Sequence, residues 1–140
     1  MTTLLTFDDV AIGRKHRLER TVSASDVDAF GRLCGDLNPL HMDEEFARRT
    51  PFKQRVVHGL FTGALVSTTH TQLTGPGFAY VGQELKFLGP VFIGDKLSVE
   101  VTVVGKKDAK RILILDTIVS KQGGDKVLAG LSALKELRIG

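Results

Sequence analysis

The sequence predicts an α+β fold in which an antiparallel sheet wraps around one long buried helix. Three observations lead there. Residues 58–74 contain no Pro, Asp, Glu, Lys or Arg, and a helix without a charged face is normally surrounded by protein. Residues 79–138 divide into runs rich in Val, Ile and Leu, parted by short turn signals, as antiparallel strands are. At 140 residues with 42% hydrophobic side chains, the chain has the size and apolar content of one domain, 1–140, with one sizeable core.

Each element has a local reason. Residues 16–22 (His-Arg-Leu-Glu-Arg-Thr-Val) suit a first strand. Ser23 then stands as an N-cap before Ala24, Ser25 and Asp26, which give an acidic first turn. Val27, Phe30 and Leu33 follow at helical spacing, and Gly35 is a natural stop. A second short helix is expected over Asp43–Arg49, with Phe46 and Ala47 inward. In the long helix, Gly59, Gly63, Ser67 and Thr71 recur every fourth residue, so one face permits close approach of another element; Gly75-Pro76-Gly77 ends it.

The expected strands are Ala79–Phe87, Leu97–Lys106, Arg111–Lys121 and Val127–Arg138. Leu97, Val99, Val101 and Val103 alternate with Ser98, Glu100 and Thr102, as a half-buried strand requires. A small sheet leaves an open edge that a partner subunit could cap, which points to a homodimer.

Composition excludes several classes. Lys plus Arg number 19 and Asp plus Glu 16, a net charge of +3 with no basic stripe interleaved with aromatics; that argues against nucleic-acid binding. Cys34 is the only cysteine, so no intrachain disulfide can form and a reducing, cytoplasmic setting is expected. Residues 1–10 lack the basic and apolar regions of a secretory signal, and no apolar run approaches the ~20 residues of a membrane span.

Chemistry concentrates in Gly35-Asp36-Leu37-Asn38-Pro39-Leu40-His41-Met42-Asp43. Asp36 follows a helix stop and Asn38-Pro39 forces a turn, so His41 can fold back beside Asp36. A carboxylate and an imidazole brought together can bind one water and exchange its proton. The alternative is that Asp36 caps a helix and His41 is a satisfied structural histidine. A second stretch, Val56-Val57-His58-Gly59-Leu60, opens the long helix. Helix-initial N–H groups have no internal partner and lie at the positive end of the dipole. Gly59 leaves them accessible to a thioester carbonyl and to the enolate oxygen formed on water attack. A tight turn in which Gly serves packing alone is the competing reading.

Taken together, and in this order, the two stretches resemble the hydratase motif of the MaoC-like, R-specific enoyl-CoA hydratases (the PhaJ type). They resemble equally the related 3-hydroxyacyl-thioester dehydratases. The resemblance continues through Pro90-Val91-Phe92-Ile93-Gly94-Asp95 and covers roughly residues 10–137. It implies a hotdog fold, usually as a homodimer, acting on CoA or acyl-carrier-protein thioesters in fatty-acid or polyhydroxyalkanoate metabolism. It places Asp36 and His41 on the catalytic pair, Gly59 on the oxyanion donor and Ser67 on a serine that supports the aspartate. Asn38 takes a turn-shaping or supporting role. No cofactor is implied, because the thioester itself acidifies C2.

Other residues receive quieter expectations. His16 is read as solvated, His58 as ordering its turn, and His70 as a hydrogen-bonded structural histidine. Cys34 is read as a small buried side chain. Asp36 and His41 are only two ligands, so no metal site is expected, and no Gly-rich phosphate-binding fingerprint supports a nucleotide. Two other functions share the fold. A hotdog thioesterase usually needs a carboxylate on or near the long helix, and residues 58–74 have none. A non-catalytic acyl-thioester sensor would be expected to lose the Asp/His pair.

Overall fold

The computed structural model describes residues 4–140. After a 3-10 turn at Phe7–Asp9, the chain forms β1 (Lys15–Thr21), α1 (Ala24–Cys34), α2 (Pro39–Met42), α3 (Glu44–Arg48) and α4 (Gly59–Thr74). Then come β2 (Phe78–Gln83), β3 (Lys86–Phe87), β4 (Lys96–Lys107), β5 (Ile112–Lys121) and β6 (Lys126–Glu136). The sheet order is β1-β4-β5-β6-β2, with β3 also pairing to β6, and every pairing is antiparallel.

Local signals behave as expected at α1. Ser23 Oγ accepts from the Asp26 N–H at 3.1 Å, and the Asp26 carboxylate accepts from the Ser23 N–H at 3.0 Å. This reciprocal box satisfies two N–H groups that the helix leaves unpaired. Gly35 ends the helix at φ 81°, a conformation glycine adopts without steric cost. The inward set differs, however. Leu33 is 87% exposed, so α1 packs through Val27 and Phe30. In α3, Ala47 is buried but Phe46 faces outward with Arg49 over its ring. A helix this short has room for only one inward position.

In β4, Leu97, Val99, Val101 and Val103 are completely buried against α4 and the neighbouring strands. Two apolar clusters result. One surrounds the N-terminal half of α4 through Phe61, Leu65 and Val66. The other lies at its far end, where Phe7 and Val10 close over Leu73, Val101 and Leu115. Full burial of each such side chain contributes about 1.5–3 kcal/mol. Glu136 ties this N-terminal plug down, accepting the Phe7 N–H at 2.5 Å while pairing with Arg111.

The expected strand over Ala79–Phe87 breaks in two. Glu84 crosses β6 so closely that a Cβ on Gly130 would lie 1.9 Å from the Glu84 carbonyl oxygen, and this close crossing interrupts the ladder. The small-residue face of α4 does receive a neighbour. Leu85 and Phe87 lie against Gly63 and Gly59. Yet Leu60, Ala64 and Thr68 on the same helix remain exposed, so its lack of charge does not mean complete enclosure within one chain. No helix among the described residues is long and apolar enough to cross a membrane.

Candidate active site

The turn between α1 and α3 carries the site. Asn38 caps α2, its side-chain oxygen accepting from the Leu40 N–H at 3.0 Å, and Pro39 supplies the first helical residue. Asn38 also donates its own N–H to Asp36 Oδ1 at 3.4 Å. These two contacts close the turn and join the Asn38 backbone to the aspartate. The short α2, absent from the sequence reading, is what turns His41 back toward Asp36.

His41 is held from three directions. Its Nδ1 donates to the Val56 carbonyl at 2.6 Å. A carbonyl only accepts, so Nδ1 carries the proton and Nε2 is left with its lone pair, fit to act as a base. Behind it, Arg55 Nε donates to the His41 carbonyl at 2.6 Å, and the same guanidinium donates to Asp28 Oδ1 at 2.5 Å. Finally, the His58 ring stacks on His41 with centroids 4.0 Å apart and planes inclined by 29°.

Asp36, His41 and His58 each bring one donor atom within 4.8 Å of the others. A gap of that size between a carboxylate oxygen and an imidazole nitrogen is spanned by one water making two ordinary hydrogen bonds. The cluster supplies a third possible metal ligand, which the sequence reading did not count. Near-parallel stacked rings, however, direct their in-plane lone pairs side by side rather than toward one ion 2.0–2.1 Å away.

These groups open onto a largely apolar cavity of about 630 Å³, lined also by Gly59, Phe30, Phe87 and Leu128. Gly59 is the first residue of α4, and no side chain caps that helix. The exposed Phe87 ring lies directly over Gly59. Thus Asp36, His41 and Gly59 share one cavity. Ser67 does not share it. It lines a second cavity of about 460 Å³ with Gly63, Tyr80 and Val81, and its carbonyl accepts the Thr71 hydroxyl.

Several sequence expectations need correction. His58 is buried and contacts both catalytic candidates, so its reach extends beyond its own turn. Cys34 is exposed, because it ends α1 at the rim of the larger cavity. His16 is half-buried and makes a surface hydrogen bond to Gln72 at 2.9 Å, since β1 runs beside α4. His70 is buried against Tyr80 with neither ring nitrogen partnered. Burial alone lowers its pKa to about 4. Arg55 and Asp28 carried no sequence signal, lying 27 residues apart.

A long helix embraced by an antiparallel sheet, with an Asp/His pair facing the helix N-terminus, defines a hotdog-fold hydratase architecture. The family model described as a MaoC like domain matches residues 9–122, and the chain belongs to that family. It is 46% identical over 101 residues to the 3-hydroxybutyryl-CoA dehydratase of Methylorubrum extorquens, covering 71% of this chain and 64% of that one. It is 40% identical over 125 residues to the (R)-specific enoyl-CoA hydratase of Aeromonas caviae, covering 89% and 93%. The solved structure of the (R)-hydratase from A. caviae, involved in PHA biosynthesis, superposes with a TM-score of 0.88 at 39% identity, over 91% of this chain and 98% of that one.

Proposed function

We propose that the protein reversibly hydrates trans-2-enoyl thioesters to R-3-hydroxyacyl thioesters carried on CoA or acyl carrier protein. It is an enzyme of the hydratase/dehydratase class, a lyase, placed in fatty-acid or polyhydroxyalkanoate metabolism. The carrying observation is the spacing of Asp36 and His41, which lie close enough for one water to bridge them on the wall of a largely apolar cavity.

In the reaction, the Gly59 N–H polarises the thioester carbonyl. His41 Nε2 takes a proton from the water while its oxygen bonds to C3, and the electron pair of the C2–C3 double bond moves into an enolate held at Gly59. Asp36 orients the water and shares its proton with His41, which returns one to C2. The sum is one water added, with no redox step and no cofactor. The apolar cavity wall suits an acyl chain, and Asn38 keeps Asp36 in register. Ser67 is proposed to support the site across an assembled dimer, since its own cavity faces the exposed side of α4.

A homodimer is proposed on the free edge of β2. Tyr80 and Val81 on that edge are exposed, and Leu60 and Leu131 nearby are 64% and 44% exposed. A second copy pairing there would cover unpaired backbone and apolar side chains together. A reducing, cytosolic setting suits the free Cys34.

Incubation of the purified protein with crotonyl-CoA, read by mass spectrometry, tests the activity. Gain of one water is the expected result. Release of free CoA would replace the hydratase reading with hydrolysis, and an unchanged substrate would remove it.

A further inference from the structure

We infer that His58 is a positioning residue for the Asp36/His41 pair, holding one through its backbone and the other through the face of its ring. The inference rests on the hydration chemistry proposed above. His58 stands at the N-cap of α4, yet its side chain does not cap that helix. Its Nε2 instead donates to the Asp36 carbonyl at 3.0 Å. With the proton on Nε2, Nδ1 carries a lone pair, and that atom is buried without a partner. Leaving a polar atom so carries a free-energy cost that packing alone would avoid with an apolar side chain.

The ring is only 2% exposed and is boxed in. His41 lies 4.0 Å from it face to face, and Phe30 meets it at 5.1 Å with planes inclined by 60°. Phe30 is in turn braced edge-on by Phe61 at 5.7 Å. The plane of His41 is thus fixed at Nδ1 by Val56 and along its face by His58, which leaves Nε2 as its one free nitrogen. The same His58 ring sets the height of the Asp36 backbone. One side chain therefore couples both members of the pair, and a misplacement of about 1 Å between reacting groups can cost on the order of 100-fold in rate.

Two substitutions divide the role. His58→Gln keeps an N–H able to reach Asp36 but removes the ring; His58→Phe keeps a ring face and the volume but removes the donor. Each is expected to lower kcat for crotonyl-CoA by at least ~10-fold per folded molecule, with KM changed far less. The decisive measurement is His58→Phe in an Asp36→Asn background, since His58→Phe keeps the ring face against His41 and removes only the donor to Asp36. A residue acting through the pair costs nothing further there, within about 2-fold, whereas a merely structural residue shows its full single-variant loss again. That additive result, or normal kcat in both single variants while Asp36→Asn is impaired, overturns the positioning role alone. Normal turnover in Asp36→Asn itself overturns the hydration reading and the role with it. Should His58→Gln fold poorly, His58→Phe, which refills the site, still carries the test.

Discussion

A Cβ placed on Gly59 would lie 2.6 Å from Phe87 Cε1. Glycine at this position therefore has two separable reasons: room for Phe87, and access of a carbonyl to the start of α4. Gly59→Ala keeps the N–H but sets a methyl over its approach, and it is expected to lower crotonyl-CoA hydration by at least ~100-fold, as when one oxyanion donor can no longer be reached. The double variant Gly59→Ala/Phe87→Ala removes the clash with the ring. If hydration per folded molecule returns to the level of Phe87→Ala alone, packing explains the glycine; continued loss supports the oxyanion role.

The proposed catalytic pair has its own test. Asp36→Asn and His41→Gln should each leave a folded protein, since both side chains line the cavity and neither belongs to the apolar core. Hydration should fall by at least ~100-fold in each, the lower range for a positioned acid–base group. A folded variant with near-normal turnover would remove that residue from the mechanism.

Arg55 links the two helices around the site through Asp28 and the His41 carbonyl. The pair is mostly sheltered, with 11% and 31% of the two side chains exposed. Arg55→Met leaves Asp28 without its partner, and a destabilisation of about 1–3 kcal/mol is expected in urea titration. Because the same guanidinium steadies His41, kcat should fall as well. Unchanged stability would mean that the ion pair is not maintained in solution.

Burial of His70 is expected to make folding sensitive to mild acid. Its pKa falls from 6.5 in the unfolded chain to about 4 in the folded one, through burial. Between those values the unfolded state binds the extra proton. Stability is therefore full above pH 6.5 and declines as pH drops toward 4, by up to roughly 3 kcal/mol. His70→Leu should flatten this decline. Parallel pH–stability curves for variant and wild type would show that His70 is not the group responsible.

Assembly is measurable by sedimentation. A homodimer at micromolar concentration is expected, and Val81→Asp, which places a charge on the exposed β2 edge, should shift the protein toward monomer. Wild-type protein that sediments as a monomer would leave the exposed Leu60 and Val81 without a covering partner.

Short-range rules made much of this protein legible from sequence. The Ser23/Asp26 box, the Gly35 stop and the alternation of β4 act within a few residues, where capping and periodicity dominate. Asp36 and His41 could be paired because a single turn, built by Asn38 and Pro39, separates them. The tertiary structure decided whatever depends on segments far apart in the chain. Leu33 and Phe46 have the spacing of core residues, but which side of a short helix meets the sheet is set by packing. The break at Glu84 arises from a close crossing over Gly130, invisible until the strands are paired. Arg55 reaches Asp28 and His58 reaches Asp36 across 27 and 22 residues, so neither contact leaves a local pattern. Sequence pointed to Asp36 and His41 as candidates because the turn that pairs them is local; only the closed chain could supply the side chains that contact them.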